Sequence, residues 1–218
     1  MEGEDLREVL NTFNKVDYWL GGNKTTLQAV ISLLDNVSDG KEFTIIDVGC
    51  GGGAQLRTIA AYASGNNLNL NLIGIDANNF TINYAKEWSP EFSNISYYNI
   101  NLFDKEFESM SSDIIICALT LHHFSDSEIL KLLQSFKRQA RQGIVINDLH
   151  RSMLAYRLFQ AFCFIFRINR TSRKDGLTSI LRGFKRRELI AFAEQLNFKR
   201  FSINWKWAFR YQFIIITK

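Results

Sequence analysis

The chain has 218 residues, of which 46% are hydrophobic and 13% aromatic, and this composition predicts a globular protein rather than a disordered one. Its first residues, MEGEDLREVL, are acidic and have no apolar core, so we expect no signal peptide, and no apolar run approaches the ~20 residues of a membrane-spanning helix. The net charge of +4 conceals an asymmetry: residues 1–110 carry 7 Lys and Arg against 15 Asp and Glu, whereas residues 111–218 carry 19 against 7.

The cysteines and the basic second half limit the class of protein. Cys50, Cys117 and Cys163 lie far apart and form no CxxC pair, so we expect reduced thiols in a cytoplasmic protein, without structural zinc or another metal. A basic half can attract nucleic acid, anionic lipid or an acidic carrier protein, or it can be a solvated surface. The single proline and the lack of a linker-like segment predict one continuous domain over 1–218.

In the first half of the chain, helical patterns alternate with short apolar runs. Residues near 5–19 and 25–36 have helical patterns. The run FTIIDVG predicts a buried strand, followed by LNLIGID, ISYYNI and DIIICALT as the second to fourth strands. Between the first two strands, Leu56, Ile59, Ala60 and Ala63 recur at helical spacing, and a further helix is expected to end near Trp88.

The second half continues the alternation and closes with two strands. Ser125 and Glu128 form a capping-box pattern that opens the helix DSEILKLLQSFKRQ. GIVIND predicts a fifth strand, ELIAFAEQL a helix, and FKRFSINWKW and FRYQFIIITK two strands antiparallel to each other. We therefore predict an α/β, Rossmann-like fold with a seven-stranded, mostly parallel sheet, helices on both faces and an antiparallel C-terminal hairpin. Within it we expect a helical cap (1–40), a core (41–150), a helical lid insertion (151–183) and a last helix with closing strands (184–218).

The stretch DVGCGGGA, between the first strand and the next helix, predicts a ligand-binding loop. Its glycines, with Ala54 last, satisfy the dinucleotide fingerprint, which alone is weak evidence. Asp47, two residues before Gly49, would repel a pyrophosphate but suits the ammonium and sulfonium of S-adenosylmethionine. Asp76 ends the second strand, where a carboxylate accepts hydrogen bonds from ribose hydroxyls of either cofactor. The closing hairpin also differs from a dinucleotide-binding half, so S-adenosylmethionine is favoured over a nicotinamide cofactor.

From about residue 40 onward, the sequence resembles the class I S-adenosylmethionine-dependent methyltransferases. The resemblance rests on DVGCGGG, the acid of GIDAN, NLFD and DIIICALTLHHFSD. It implies S-adenosylmethionine as cofactor and S-adenosylhomocysteine as product, with Asp47 at the amino-acid end, Asp76 at the ribose, and Asn101, where Asp is commoner, at the adenine. The other cofactor-binding residues that it implies are Tyr18, Gly49, Cys50, Gly51, Gly53, Ala77, Leu102, Cys117, Ala118 and Leu119.

The histidines lie where an acceptor would bind. Thr120–Phe124, TLHHF, lacks the Asn/Asp-Pro-Pro motif of DNA-base methyltransferases, so we expect no nucleic-acid substrate; it resembles small-molecule methyltransferases of quinone and polyketide pathways. A phenol, with a pKa near ~10, must lose its proton, and histidine can remove it near neutrality. All three histidines follow the fourth and fifth strands. We predict His150 and His123 as bases and His122 as a substrate contact.

The segment VINDLHRSMLAYRLFQAFCFIFR is the most distinctive part of the chain. It resembles the NDLHR segment of bacterial methyltransferases of polyketide and aryl-lipid pathways. Its helix is apolar nearly all round, and is therefore expected to be buried or to face an apolar ligand, with Arg151, Tyr156 and Phe159 contacting the substrate. Apolar side chains bordered by arginines suit an alkyl chain, a peripheral membrane contact or an acyl-carrier protein, but also a lid packed on the sheet.

The predicted function is methyl transfer to a hydroxyl of a small, apolar, aromatic or polyketide-like acceptor, which is lipid-like or carrier-bound. Two alternatives stay open. One is carbon methylation of a quinone-like ring. The other is a catalytically silent cofactor-binding module that docks on a biosynthetic complex. The sequence does not determine the oligomeric state.

Overall fold

A computed structural model describes residues 3–34 and 42–218, apart from the side chains of Glu4, Asp5 and Tyr18. Its first elements are α1 (Glu4–Trp19), α2 (Gly22–Leu34), β1 (Phe43–Val48), α3 (Ala54–Gly65), β2 (Leu70–Asp76), α4 (Asn79–Glu87), β3 (Ile95–Asn99), α5 (Lys105–Glu108) and β4 (Ser112–Ala118). A short 3-10 helix, Leu121–His123, leads to α6 (Asp126–Gln139), β5 (Ala140–Leu149), α7 (Met153–Ile165), α8 (Arg170–Arg182), α9 (Arg186–Gln195), β6 (Arg200–Lys206) and β7 (Arg210–Ile216). The end predicted for the second helix, near residue 36, lies outside the described residues.

The strands form one seven-stranded sheet in the order β3-β2-β1-β4-β5-β7-β6. Strands β1 to β5 are parallel, whereas β7 is antiparallel to both β5 and β6. The predicted mostly parallel sheet with an antiparallel C-terminal hairpin is therefore confirmed. The position of β7 between β5 and β6 was not predicted. It follows from composition, because the apolar β7 is almost fully buried while β6 exposes most of its residues at the sheet edge.

Apolar side chains from the two faces of the sheet form two cores. On one face, Ile144 and Phe213 pack with Leu132 and Phe136 of α6 and with Phe192 of α9. The other face packs against α2, α3 and α4 through Ile45, Leu72, Val145, Val30 and Leu56. Side chains alternate between faces along each strand, so the polar residues at the strand ends are also divided between the two faces.

A capping box stabilises the start of α6. The Ser125 N–H donates to Glu128 Oε2 at 2.8 Å, as the sequence pattern predicted.

The lid segment, here α7 and α8, begins and ends at the carboxyl end of β5. The Phe184 N–H donates to the Leu149 carbonyl at 2.7 Å, and the Arg151 N–H donates to the Phe184 carbonyl at 2.9 Å. A helical lid was predicted over 151–183, but no separate helix corresponding to α8. Helix α7 was expected to be buried or to face an apolar ligand. Of its residues Ala155 and Cys163 are buried, while Phe164 is 80% exposed, so the helix is not buried on all sides. In the described part of the chain, no helix has both the length and the apolar character needed to cross a membrane.

Candidate active site

The glycine loop follows β1, and its glycines have different surroundings. Gly49, Gly51 and Gly53 all have positive φ, which other residues adopt at a cost. A Cβ at Gly49 would lie 2.3 Å from Thr120 Oγ1, and one at Gly53 would lie 2.2 Å from the Tyr97 hydroxyl oxygen, so protein side chains fill the space beside both. A Cβ at Gly51 would meet nothing within 4 Å. Only Gly51, of these three, thus leaves open space that a ligand can occupy.

Asp76, at the end of β2, fixes the same loop. Its Oδ2 accepts from the Gly51 N–H at 3.2 Å and its Oδ1 from the Asn78 N–H at 2.9 Å. Burial raises the pKa of Asp76, while these two backbone hydrogen bonds oppose the rise. A carboxylate has about four lone-pair sites, so it can still accept from two hydroxyls. The exposed Ala77 and Asn101 lie close by in the chain, and Asn101 Oδ1 accepts from the Phe103 N–H at 3.0 Å.

Asp47, on β1, is a fully buried carboxylate with an unused oxygen. Its side chain lines the main cavity, and its Oδ1 has no hydrogen-bond partner among the described residues. Burial raises the pKa of Asp47 from 3.8 to about 8, and the nearby Asp76 adds to this rise. A cationic ligand group beside Oδ1 would favour the ionised form. The site therefore fits a ligand that has an ammonium or sulfonium at this end.

This raised pKa predicts how stability depends on pH in the protein without ligand. The folded state binds the Asp47 proton more tightly than the unfolded state, so the contribution of this group is fully present below about pH 4 and is lost as pH rises through about 8. Between about pH 4 and about pH 8, the loss of this contribution lowers the free energy of unfolding by up to about 1.4 kcal/mol per pH unit. Urea unfolding of wild type and Asp47→Asn at pH 5 and pH 8 should show the variant gaining stability relative to wild type at the higher pH. A parallel pH dependence of the two proteins would contradict this assignment.

One cavity of about 520 Å³ starts at the glycine loop and continues beneath α1, α7 and α8. This volume is within the range of about 300–1,000 Å³ that is usual for small-molecule sites. Away from the glycine loop most of the lining is apolar, and part of it is aromatic, although Asp17, Asp175, Ser179 and Arg210 also line the cavity. The apolar residues of this part include Leu10, Phe13, Val16, Leu20, Leu158, Phe159, Phe162, Ile180, Trp207 and Phe209.

The structure brings together about half of the site residues predicted from the sequence. Those that line the cavity are Asp47, Gly49, Cys50, Gly51, Ala118, Leu119, His122, His123, His150 and Phe159. Those outside its lining are Gly53, Asp76, Ala77, Asn101, Leu102, Cys117, Arg151 and Tyr156. Cys117 packs in the core on the opposite face of the sheet, and Arg151 forms an ion pair with Glu188 of α9. The side chain of Tyr18 lies outside the described part of the chain.

His122, which lines the cavity, forms a buried pair with Asp148, which lies behind it and is not part of the lining. His122 Nδ1 lies 2.7 Å from Asp148 Oδ1, and both side chains are almost fully buried. The Leu149 N–H donates to Oδ1 at 2.7 Å and the His122 N–H donates to Oδ2 at 3.3 Å. Because this carboxylate accepts from both backbone N–H groups, Nδ1 is the donor in its contact with His122. In the neutral ring the lone pair is then on Nε2, which is buried and has no partner among the described residues.

The other two histidines have different surroundings. His150 Nδ1 accepts from the Trp205 indole N–H at 3.3 Å, so its neutral ring carries the proton on Nε2 and donates there. Burial lowers the pKa of His150, and Lys185 adds to the effect. His123 is largely exposed and its ring lies 4.2 Å from that of His122; the surrounding protein lowers the pKa of His123 by desolvation, and His122 adds to this. Among the described residues, neither ring has a hydrogen bond to a carboxylate that would fix its tautomer.

Three groups of residues belong to the site but were not predicted from the sequence. Asp148 stands in the distinctive NDLHR segment, but its pairing with His122 spans 26 positions and leaves no local pattern. Arg210, which begins β7, and Asp17 of α1 form a buried ion pair in the cavity wall across 193 positions. The apolar residues of α1, such as Phe13, had a helical pattern, but nothing in that pattern indicated which surface they cover.

Comparison with known proteins agrees with this geometry. A family model described as "Methyltransferase domain" matches residues 45–143. A ubiquinone biosynthesis O-methyltransferase of Colwellia psychrerythraea (strain 34H / ATCC BAA-681) is 29% identical over 129 residues, which cover 57% of this chain and 49% of that protein. The chain therefore spans about half the length of this curated relative.

Solved structures show the same fold at low sequence identity. The plantazolicin methyltransferase BpumL, in complex with SAH, superposes with a TM-score of 0.72 at 13% identity, covering 99% of this chain and 91% of that one. The DszA carbon methyltransferase has a TM-score of 0.68 at 16% identity, covering 89% of this chain and 53% of that one. At such identities the likeness concerns the fold alone.

Proposed function

We propose that this chain is a class I S-adenosylmethionine-dependent methyltransferase, which the match of residues 45–143 to a methyltransferase-domain model and the likeness to a known O-methyltransferase support, and that it methylates a hydroxyl of a small, apolar, aromatic or polyketide-like acceptor. The observation that carries the proposal is that His122, in the wall of the cavity that begins at the glycine loop, pairs with the buried Asp148. Such a pair is suited to removing a proton from an acceptor held in the apolar part of the cavity.

The residues of the glycine loop would hold S-adenosylmethionine, which when bound supplies an electrophilic methyl group. The open space beside Gly51 and the unused Oδ1 of Asp47 fit this cofactor. Asp47 would accept from the ammonium of its amino-acid end, and Asp76 from its ribose hydroxyls. In methyl transfer, alignment and the exclusion of water are the main contributions of the protein.

His122 is the general base of this proposal. Its Nε2 would accept the acceptor's hydroxyl proton, and Asp148 would stabilise the imidazolium that forms. This differs from the prediction made from sequence, which placed His150 and His123 in that role. His150, with its proton on Nε2, is instead suited to donate a hydrogen bond to the acceptor. His123, exposed beside His122, is left at the edge of the site.

The shape and lining of the cavity support an apolar acceptor. Phe159 and Phe162 of α7 and Phe13 of α1 line the part beyond the histidines. Phe159 and Phe162 are stacked, with their rings 12° apart and 6.2 Å between centroids. Aromatic walls of this kind favour a ring or an alkyl chain over a polar substrate.

The outer face of α7 supports a lipid-like acceptor delivered from a surface. Met153, Phe164 and Ile165 are 64%, 80% and 69% exposed. Between Asp148 and Asp175 the chain has no acidic residue, but it has six Arg and Lys. Exposed apolar side chains among cations suit peripheral contact with anionic lipid. We place the protein in the cytoplasm, where its three free, buried cysteines would stay reduced.

Release of S-adenosylhomocysteine on matched acceptors tests the proposal. The panel pairs catechol with octyl catechol, each also supplied with its hydroxyls already methylated, with and without anionic vesicles. We expect turnover on octyl catechol, little on catechol, none on the blocked rings, and an increase when vesicles carry the acceptor. Turnover on the blocked rings would indicate carbon methylation. Tight binding of S-adenosylhomocysteine without turnover on any acceptor would instead indicate the silent module.

A further inference from the structure

The outer face of α7 is almost entirely apolar. The exposed apolar residues of this helix are Met153, Leu154, Leu158, Ala161, Phe164 and Ile165. Its one other exposed residue is Arg157. The inner face, with the buried Ala155 and Cys163 and the cavity-lining Phe159, already packs against the protein. In α6, by contrast, every exposed residue is polar or charged, as is usual for a helix that faces water. The outer face of α7 is therefore more apolar than its role in covering the cavity requires.

Aromatic rings connect this outer face with the cavity. Phe162 lines the cavity, and its ring centroid lies 4.5 Å from that of Phe166. The Phe166 ring centroid lies 5.9 Å from that of Trp19, the last residue of α1. Phe166 and Trp19 are 53% and 59% exposed. Leu158 likewise lines the cavity and is 48% exposed. Apolar side chains thus extend without a break from the cavity to the surface.

Unpaired cations border the same surface. The exposed cations of α7 and of the residues that follow it are Arg157, Arg167, Arg170, Arg173 and Lys174. None of them forms an ion pair with another described residue. The chain has no acidic residue from position 149 to position 174. This part of the surface is therefore complementary to an anionic partner.

Three partners could cover an apolar face bordered by cations. A second copy of the chain, seated by two-fold symmetry, would bring the same cations against each other. An acidic carrier protein would pair with the cations, but electrostatic docking does not need so many exposed apolar side chains. An anionic lipid bilayer matches both features, because apolar side chains enter the acyl region while Arg and Lys contact the headgroups. Tryptophan, here Trp19, is also enriched at the membrane–water interface.

We infer that the outer face of α7, with Trp19 and Phe166, docks on an anionic lipid bilayer, and that a lipid-like acceptor reaches the cavity from that bilayer. The docking surface stands on the exposed side chains alone, whereas the delivery of the acceptor rests on the proposed function. Docking here would place the apolar part of the cavity next to the bilayer, since Leu158 and Phe162 belong to the same helix.

Co-sedimentation with lipid vesicles tests the docking surface without requiring turnover. The vesicles consist of phosphatidylcholine, either alone or with an equal share of phosphatidylglycerol. We expect wild type to bind the anionic vesicles roughly tenfold more tightly than the neutral ones. Phe164→Ser/Ile165→Ser, which changes only exposed side chains, should weaken that binding by roughly tenfold or more. Arg157→Gln should weaken binding to the anionic vesicles only. Trp88→Ser, which removes a half-exposed ring at the end of α4, should bind as wild type does.

Three results would overturn the docking surface. One is that wild type does not bind anionic vesicles, or that Phe164→Ser/Ile165→Ser binds them as wild type does. Another is self-association of wild type in analytical ultracentrifugation that the same variant abolishes, which would assign the face to a second copy. The third is calorimetric binding of an acidic acyl-carrier protein by a wild type that does not bind vesicles, which would assign the face to a folded partner.

The source of the acceptor tests the delivery. With octyl catechol held in anionic vesicles, Phe164→Ser/Ile165→Ser should transfer methyl groups roughly tenfold more slowly than wild type, in proportion to its lost binding. With the same acceptor free in water, the two proteins should have equal rates. Equal rates from both sources would overturn the delivery. Failure of the proposed function would be seen separately, as absence of methyl transfer by wild type from either source, while vesicle binding still measures the docking surface.

Discussion

Replacement of His122 by asparagine is expected to slow methyl transfer to a phenolic acceptor by roughly 100-fold to 10,000-fold, the usual contribution of a general base. The asparagine amide can still donate to Asp148, so the buried carboxylate keeps its hydrogen bond, but the lone pair of Nε2 is lost. Binding of S-adenosylhomocysteine should not change, because the effect concerns proton removal. Single-turnover rates and calorimetric binding of the product measure the two effects separately.

The neighbouring histidines provide the controls for this result. His123→Ala removes an exposed ring in contact with His122 and should leave the rate near that of wild type. His150→Ala removes a hydrogen-bond donor and should weaken acceptor binding more than it slows the chemical step. A normal rate in His122→Asn, together with a large loss in His150→Ala, would restore the assignment of the base that was predicted from sequence.

Replacement of Asp76 by alanine is expected to weaken binding of S-adenosylhomocysteine by roughly 100-fold to 10,000-fold, since two hydrogen bonds to a charged group contribute about 1.5–3 kcal/mol each and about 1.4 kcal/mol corresponds to a factor of ten. The same change removes the acceptor for the Gly51 N–H, so the glycine loop also loses a contact that fixes its shape. Both effects act on the cofactor rather than on the acceptor. Calorimetric titration with S-adenosylhomocysteine provides the measurement.

Asp104→Ala is the matched control for Asp76→Ala. Asp104 is also a carboxylate that follows a strand on this edge of the sheet, but it is exposed and makes no side-chain capping bond. Its removal should leave the affinity unchanged. Thermal unfolding of both variants shows whether a loss of affinity reflects a loss of folded protein. Equal affinities of Asp76→Ala and wild type would exclude a role for Asp76 in binding the ribose.

The three polar positions described above divide the cavity into regions. Asp47 lies at the glycine loop, the His122–Asp148 pair follows β4 and β5, and Arg210 begins β7. The sheet order β1-β4-β5-β7 therefore places a carboxyl group, an imidazole and a guanidinium in succession across the site. In the proposed function, the first contacts the cofactor and the second the reacting hydroxyl.

The sequence alone determined those features that depend on neighbours in the chain. Apolar runs of strand length, helical spacing after Ala54 and the capping pair Ser125 and Glu128 each predict a local structure, and the structure has all of them. The glycine loop likewise lies between β1 and α3, and Asp76 ends β2, the next strand in the chain. Local sterics and the periodicity of burial are sufficient for such predictions.

Only the tertiary structure decided which groups work together. His122 pairs with Asp148, 26 positions away, and Arg210 pairs with Asp17, 193 positions away. The order of the closing strands, the packing of Thr120 against Gly49, and the exposure of Phe164 also depend on which surfaces meet after folding. A hydrogen bond between distant residues leaves no periodic trace in a single sequence, because its distance and direction are set by the packing of whole elements.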